Sequence, residues 1–227
     1  MILKGCTEHM FTKIQLNGEQ LKWIAIVTMT IDHIAAIIFP QYLILRIIGR
    51  IAFPIFAFLL AQGMIYTHNP RGYLTRLGVF AILSEIPFDY AFQTRIIEMQ
   101  HQNIFFTLFL GGVSIYVIQL SNKKEHAYFT TMGIALLAEL LNCDYGFTGV
   151  VIIVSFYILK EKKIYQFIAL TVFSILMGYI QIYAAFACVP IALYNGKRGR
   201  NLKWLFYIYY PVHLLILKGI WLLMFYG

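Results

Sequence analysis

Charged residues are scarce in this chain. They account for 12% of its 227 residues, whereas apolar residues account for 60% and the mean hydropathy is +0.73. A soluble domain of this length carries about twice that charged fraction. The composition therefore argues against a water-soluble domain and predicts a polytopic membrane protein, with one domain over residues 1–227.

Cysteine is rare as well, and its three positions, Cys6, Cys143 and Cys188, show no CxxC spacing. An odd and scattered set argues against both a disulfide framework and a zinc site. The sequence also lacks Walker, Rossmann, GxSxG and HExxH patterns and any metal-ligand cluster, so we expect no metal. No basic face lies outside the loops between apolar runs, which argues against nucleic-acid binding.

The segment before the first apolar run, residues 1–20, is polar and lacks the apolar core of a cleavable signal peptide. We therefore expect a short cytoplasmic N-terminal segment. Asn17 and Gln20 have the spacing of a capping box, which predicts that the first helix starts beside them.

Nine apolar segments predict an all-α bundle of about nine transmembrane helices, within a range of eight to ten. They cover residues 21–39, 43–66, 72–93, 103–120, 127–142, 146–160, 164–179, 181–194 and 203–225. A spanning helix needs roughly 20 residues. The fifth to eighth segments are shorter, so one of them is a candidate for a re-entrant or kinked helix.

Basic residues cluster in alternate connections between these segments. The even-numbered connections carry Arg71, Arg76, Lys123, Lys124, Lys160, Lys162, Lys163, Lys197, Arg198, Arg200 and Lys203. The odd-numbered ones carry little positive charge beyond Arg95. By the positive-inside rule this pattern predicts a multi-pass protein of a bacterial inner membrane, with Lys4, Lys13 and Lys22 in the cytoplasm. A second interpretation is that some of these cations bind an anionic cytosolic cofactor.

The first two apolar segments contain four ionisable residues, Asp32, His33, Arg46 and Arg50. An ionised side chain at bilayer depth costs roughly 3 kcal/mol even on the lenient insertion scale, so these residues are candidates for a functional site. Arg46 is near enough to the membrane surface for its side chain to reach the interface. Arg50 has a structural alternative, in which it pairs with Asp32 or Glu85 only to hold helices together.

Further polar residues are predicted at the midplane or in the outer half of the bundle. They are Glu85, Asp89, Asn103, Thr107, Asp144 and His213. Together with the cations of the cytoplasmic half, they predict a polar cavity that opens outward and has a cationic inner mouth. Asp89 and Asp144 also fit positions on the outer surface.

Asp32 and His33 are adjacent, but neighbouring residues of a helix point about 100° apart. We therefore expect Asp32 to face an arginine and His33 to face the cavity. A residue of another helix, such as Glu85, is then expected to set the tautomer or charge of His33. Histidine titrates near neutral pH, which suits general-base catalysis.

Several motifs spread over the chain together resemble one known family. They are TIDHIAAIIFP, LRIIGRIAFP, LSEIPFD, NIFFTLFLGG, DYGFTGV, LYNGKRG and YIYYPVHLLIL. The family is TraX, named for the membrane protein that acetylates the N-terminus of conjugative pilin. The resemblance extends over nearly the whole chain, and it implies a distant relation to membrane acyltransferases of the heparan glucosaminide N-acetyltransferase type.

The resemblance implies an N-acetyltransferase that uses acetyl-CoA as acyl donor and an amine, such as a peptide N-terminus or an amino sugar, as acceptor. The implied catalytic residues are His33, Asp32, Arg50, Glu85 and His213. Among the residues predicted to bind the donor, the resemblance implies Asn195, Arg198 and Lys203, and the cationic inner mouth adds Arg71, Arg76 and Lys197. Those implied on the acceptor side are Asp89, Asn103, Thr107, Asp144 and Tyr210.

Two other classes of protein stay open at this point. Intramembrane Asp, Glu, His and Arg residues also form the sites of transporters for small polar or anionic molecules, although no internal repeat of the kind common in transporters is visible. A structural subunit of a secretion assembly is the third class, but it would not need a buried Asp–His pair and a buried arginine.

Overall fold

The fold is known from a computed structural model that describes residues 15–92, 100–201 and 203–226. In these ranges the chain forms helices joined by short connections, with two isolated backbone bridges and no strand. The expected all-α class is confirmed for this part of the chain. Lys4, Cys6, Lys13 and Arg95, which entered the predictions, lie outside the described residues.

The helices are numbered here in chain order. They are α1 (Gly18–Ile37), α2 (Leu43–Gly49), α3 (Ala52–Tyr66), α4 (Pro70–Phe92), α5 (Ile104–Leu120), α6 (Lys124–Leu140), α7 (Gly146–Ile158), α8 (Lys163–Leu176), a 3₁₀ helix (Tyr179–Ala187), α9 (Cys188–Ala192) and α10 (Lys203–Tyr226).

Every predicted apolar segment contains helix, but two of them are not single α-helices. The second is divided at Arg50 and Ile51 into α2 and α3, and the eighth is the 3₁₀ helix followed by α9. Two stretches, Leu43–Tyr66 and Lys203–Phe225, are long and apolar enough to cross a membrane by length and composition. Helix α7, with 13 residues, measures about 20 Å and is shorter than the roughly 30 Å of bilayer hydrocarbon, so the count of nine spans stays a prediction.

The capping box at the start of α1 is confirmed. The side-chain oxygen of Asn17 accepts a hydrogen bond from the backbone N–H of Gln20 at 2.9 Å, and the Gln20 side chain accepts one from the Asn17 backbone at 2.8 Å. These two bonds satisfy donors that the first turn of a helix leaves unpaired. Helix α1 therefore begins at Gly18, directly after its cap.

Helix α5 lies against α3, α4, α6 and α7. Two adjacent glycines permit this close packing: a Cβ at Gly111 would lie 2.5 Å from Ile153 of α7, and one at Gly112 would lie 2.7 Å from Leu74 of α4. Small residues at helix crossings let two backbones approach each other. Helix α10 in turn packs against α4 and α1, which brings the polar residues of these three helices together.

The two ends of the bundle are tied by backbone hydrogen bonds. At one end, Leu16 donates to the carbonyl of Leu193 at 2.9 Å and accepts from Asn195 at 2.9 Å. At the other end, Gln102 donates to Asn142 at 3.0 Å and accepts from Asp144 at 2.9 Å. Connections predicted to share one side of the membrane therefore do meet, while the orientation of the bundle in a bilayer stays a prediction.

Candidate functional site

Asp32 of α1 forms ion pairs with both arginines of the following segment. Its Oδ1 accepts from Nη2 of Arg50 at 2.5 Å, and its Oδ2 accepts from Nη1 of Arg46 at 2.8 Å. Asp32 and Arg50 are only 8% and 7% exposed, whereas the Arg46 side chain is 31% exposed. The expectation that Asp32 faces an arginine is confirmed, and Arg46 belongs to the same cluster because Asp32 binds it.

Gly49 makes this ion pair possible. A Cβ at Gly49 would overlap the Cβ and the carboxylate of Asp32, so no other residue fits without displacing the aspartate. Because Gly49 has no side chain, α2 lies directly against α1 at this position, one residue before Arg50.

His33 contacts His213 of α10. Nδ1 of His33 lies 2.7 Å from Nε2 of His213, and Nδ1 of His213 lies 2.9 Å from the carbonyl oxygen of Tyr209. The two imidazole rings are inclined by only 15°, with centroids 4.9 Å apart. With the two nitrogens this close, the rings meet edge to edge in one hydrogen bond. The expected partner of His33 from another helix is therefore present, but it is His213 and not Glu85, which was named as an example.

The Tyr209 carbonyl fixes the direction of these hydrogen bonds. A carbonyl oxygen only accepts, so Nδ1 of His213 carries a proton. When both rings are neutral, Nε2 of His213 accepts from Nδ1 of His33, and Nε2 of His33 keeps its lone pair. His33 is then the base of the pair, and His213 is the residue that sets its tautomer.

Aromatic rings surround the histidine pair. The centroids of Phe92 and Tyr210 lie 5.5 and 6.0 Å from that of His33, and both rings meet it edge-on. Tyr210 also lies 5.7 Å from His213. His213 and Tyr210 are buried, whereas His33 is only half-buried. His33 is therefore the more exposed member of the pair.

Glu85 of α4 binds Asn103 rather than Arg50. Oε2 of Glu85 accepts from the backbone N–H of Asn103 at 3.3 Å and from its side-chain amide. The side-chain oxygen of Asn103 accepts from Phe105 at 3.0 Å and so caps α5. This pairing fixes the start of α5 against α4. Asp89, one turn further along α4, is fully buried, so the outer-surface interpretation is wrong for it.

A tight turn between α6 and α7 carries Asp144. Asn142 and Tyr145 in this turn have left-handed backbone angles, with φ of 51° and 63°. Such conformations cost of order 1–3 kcal/mol each and persist only where the surroundings enforce them. Here the backbone bonds to Gln102 and a hydrogen bond from the Thr107 hydroxyl to the Asp144 carbonyl hold the turn.

The surroundings of Asp144 link this turn to the ion pair. Burial raises the pKa of the Asp144 carboxyl, and electrostatic interactions with His101 and Arg50 partly oppose that shift. Tyr145, the next residue, also interacts electrostatically with Arg50. Asp144 is therefore a neighbour of the Asp32–Arg50 pair, as the predicted polar cavity requires.

A cavity of about 370 Å³, here called the basic cavity, opens at the end of the bundle where α1 begins. Its cationic lining residues are Lys22, Arg76, Arg198 and Lys203. No carboxylate lines it among the described residues. Its remaining walls are largely apolar and aromatic, and they include Met29 and Tyr210. Met29 lies one helical turn before His33, and Tyr210 touches both histidines, so the inner end of the cavity adjoins the histidine pair.

Three residues predicted to bind the donor lie away from this cavity. Arg71 donates from Nε to the Tyr116 hydroxyl at 2.9 Å. The Asn195 side chain accepts from the backbone N–H of Lys197 at 2.9 Å and shapes the loop before α10. Neither Asn195 nor Lys197 is among the residues that line the basic cavity.

The loop that carries Arg198 is fastened to the start of α1. Arg200 donates to the Glu19 carboxylate from its backbone N–H at 3.0 Å and from Nε at 2.9 Å, and this hydrogen bonding lowers the pKa of Glu19. Gly199, between Arg198 and Arg200, has a φ of 75°. A Cβ at this position would lie 2.6 Å from the Cβ of Glu19. These contacts hold Arg198 at the mouth of the basic cavity.

Sequence reasoning assigned no role to two tyrosines that contribute to the site, and it passed over one buried lysine elsewhere in α10. Tyr209 supplies the carbonyl that orients His213, and Tyr145 lies beside Arg50. Both tyrosines lie within motifs of the family resemblance, DYGFTGV and YIYYPVHLLIL, but neither was assigned a role from the sequence. Lys218 of α10 is buried with Nζ 4.2 Å from the centroid of Trp221, and its signal, a cation within an apolar segment, was present.

The described residues contain no group of three or more His, Cys, Asp or Glu side chains placed to hold a metal ion. The absence of a metal nevertheless stays a prediction.

Comparison with known proteins identifies the family. The chain is 25% identical to a probable fimbrial assembly protein FimC, serogroup H1, of Dichelobacter nodosus, over 92% of this chain and 97% of that protein. It is 28% identical to the uncharacterized protein RP591 of Rickettsia prowazekii (strain Madrid E), over 63% of this chain and 56% of that protein. No solved structure matches it significantly. The family described as TraX protein matches residues 17–221, from the cap of α1 into α10. The chain therefore belongs to the TraX family.

Proposed function

We propose that this protein is an N-acetyltransferase that is embedded in a bacterial inner membrane by several helices and uses acetyl-CoA as donor. Its family is linked to the acetylation of pilin, and its relative in Dichelobacter nodosus is named as a probable fimbrial assembly protein. One observation carries the proposal. The basic cavity has cations at its mouth and the His33–His213 pair beside its inner end.

The basic cavity fits the chemistry of the donor. Nε of Arg76 is buried and has no hydrogen-bond partner among the described residues, so an anionic group in the cavity would satisfy it. Phosphates form strong charge-assisted hydrogen bonds with arginine and lysine, and we assign them to Arg76, Arg198 and Lys203. The apolar and aromatic walls then surround the pantetheine arm.

The histidine pair provides the base. In our proposal Nε2 of His33 takes a proton from the acceptor amine as the amine nitrogen bonds to the thioester carbonyl carbon. The carbon–sulfur bond breaks, and the proton passes from His33 to the departing sulfur. His213 holds His33 in the required tautomer, because Nδ1 of His213 donates to the Tyr209 carbonyl.

Arg50 is assigned to the oxyanion. It uses one Nη2 proton on Asp32 and its Nε proton on the Arg46 carbonyl, so three of its N–H bonds are not used in these contacts. Donors that are fixed before the reaction stabilise developing negative charge most effectively. Asp32 fixes Arg50 in this way, and we assign it a positioning role.

The donor site is tested by the affinity of purified protein for acetyl-CoA. Arg198→Ala is expected to weaken binding about tenfold, since a hydrogen bond to a charged group contributes about 1.5–3 kcal/mol. Lys197→Ala removes the same charge next to it but outside the cavity, and is expected to change affinity less than about twofold. Equal effects of both variants would show that only net charge matters. Thermal unfolding of the wild-type protein is also measured with acetyl-CoA, CoA and desulfo-CoA. The proposal fails if acetyl-CoA does not raise the Tm.

The histidine roles are tested by acetyl transfer to a peptide amine and by release of CoA. His33→Ala is expected to lower the rate about 10²- to 10⁴-fold, the usual contribution of a general base. His213→Gln keeps an acceptor for Nδ1 of His33, so it is expected to retain more activity than His213→Leu. Full CoA release by both His33→Ala and His213→Leu would refute the assignment.

A further inference from the structure

A second cavity, here called the Glu139 cavity, lies at the opposite end of the bundle, beside the turn between α6 and α7. Its volume is about 390 Å³. Its lining residues are Gln100, His101, Glu139, Asn142, Cys143, Tyr145, Gly146, Thr148 and Met177. The mechanism above uses none of these side chains.

The two cavities differ in the sign of their charge. The basic cavity is lined by four cations and, among the described residues, no carboxylate. The Glu139 cavity is lined by the carboxylate of Glu139, by the imidazole of His101 and, in the described part of the chain, by no lysine or arginine. The first cavity therefore favours anions, and the second favours cations or neutral polar groups.

The carboxylate of Glu139 is held in place by the turn. Its Oε2 accepts from the backbone N–H of Phe147 at 2.8 Å. Gly146 lies against the same oxygen, where a Cβ would overlap it. The carboxylate is thus fixed at the wall of the cavity, and Oε1 is not used in this hydrogen bond.

Tyr145 separates the Glu139 cavity from the ion pair. It lines the cavity, and its ring stacks on Phe53 with centroids 3.9 Å apart and planes inclined by 16°. It also interacts electrostatically with Arg50, Asp144 and Asp32. Tyr145 therefore lies between the Glu139 cavity and the cluster of Asp32, Arg50 and Asp144.

We infer that the Glu139 cavity binds the acceptor through a primary ammonium group, with Glu139 as counter-ion. The inference rests on the proposed function and assigns the site of its second substrate. Amines are cationic at neutral pH, whereas acetyl-CoA is anionic, so the opposite charges of the two cavities sort the two substrates to opposite ends. The ammonium group releases one proton to water at the mouth of this cavity, and the neutral amine then passes Tyr145 to reach His33, which takes the second proton during transfer.

The first experiment measures the charge preference of the cavity without any need for catalysis. Thr148→Cys is introduced in a background with Cys6, Cys143 and Cys188 replaced by serine, and its reaction rates with a cationic and an anionic methanethiosulfonate are compared. The rate with the cationic reagent divided by the rate with the anionic reagent is expected to be about fivefold higher than the same ratio for a free thiol. Adding Glu139→Gln, which keeps an acceptor for Phe147, is expected to return the ratio to the free-thiol value. The inference is overturned if Thr148→Cys alone gives the free-thiol ratio. It is also overturned if Glu139→Gln leaves the ratio unchanged.

The second experiment uses acetylation of triglycine amide by wild-type and Glu139→Gln protein. The variant is expected to raise the KM for the peptide about tenfold and to leave the KM for acetyl-CoA within twofold. If the wild type acetylates the peptide and Glu139→Gln leaves its KM unchanged, this inference alone fails. If the wild type neither binds nor consumes acetyl-CoA, the proposed function fails, and the thiol ratio still decides whether the cavity selects cations.

Discussion

Asp32→Asn leaves Arg50 as a buried cation without its counter-ion. Arg50 is 7% exposed and meets Asp32 at 2.5 Å. Removal of one partner of a buried ion pair costs about 3–5 kcal/mol. Arg46 is 31% exposed, so its pair with Asp32 resembles a surface ion pair worth about 0–1 kcal/mol. We therefore expect Asp32→Asn to destabilise the protein by at least about 3 kcal/mol and Arg46→Ala by about 1 kcal/mol or less.

A double variant separates the interaction from the cost of an unpaired charge. Replacing a whole buried pair by neutral groups is often without cost, whereas breaking it is not. Asp32→Asn combined with Arg50→Met is therefore expected to be more stable than Asp32→Asn alone, with a coupling free energy of about 2 kcal/mol. The double variant is still expected to lack acetyl transfer, because Arg50 is absent.

The assay is thermal unfolding of the purified protein in one detergent, followed by intrinsic fluorescence. For a chain of this length 1 kcal/mol shifts Tm by about 2–4 °C, so Asp32→Asn, at about 3–5 kcal/mol, is expected to lower Tm by about 6–20 °C and Arg46→Ala by no more than about 4 °C. The reasoning is refuted if Asp32→Asn lowers Tm by less than about 2 °C. It is also refuted if the effect of the double variant equals the sum of the effects of Asp32→Asn and Arg50→Met measured singly.

Three further predictions concern single residues. Gly49→Ala is expected to cost about 1–3 kcal/mol in thermal unfolding, because its Cβ overlaps Asp32, whereas Gly133→Ala, whose Cβ would meet nothing within 4 Å, is expected to cost nothing. Burial raises the pKa of the Cys143 thiol to about 11, so at pH 8 it is expected to react with iodoacetamide at least about tenfold more slowly than free cysteine; an equal rate contradicts this. In intact cells, on a cysteine-free background, Gln41→Cys is expected to react with an impermeant thiol reagent, and Asn122→Cys only after permeabilisation; the reverse result inverts the predicted topology.

Much of the helical framework was predictable because local sequence decides it. The Asn17–Gln20 capping box fixes the start of α1 through bonds between residues three apart in sequence. The pairing of Asp32 with arginine was also predictable, since Arg46 and Arg50 follow within two helical turns of the α1–α2 connection and no other charge in that stretch satisfies a buried carboxylate.

The partners of the other polar residues were not predictable from the same reasoning. Glu85 was a candidate partner for Arg50 and His33, but α4 turns it to Asn103 at the start of α5. The angle between helical residues gives the direction of a side chain relative to its own helix and says nothing about which helix lies opposite. That choice depends on packing, which here turns on small residues such as Gly111 and Gly112.

The sequence by itself determined that this chain is a bundle of apolar helices with ionisable residues inside it, because hydrophobicity, charge alternation and caps act over a few residues. Only the tertiary structure decided that His33 meets His213, 180 residues away in sequence, and that the Tyr209 carbonyl orients the pair. The same holds for the two cavities of opposite charge, since each is built from several helices. A hydrogen bond between distant residues depends on positions that packing fixes to within a fraction of an ångström, and no local pattern carries that information.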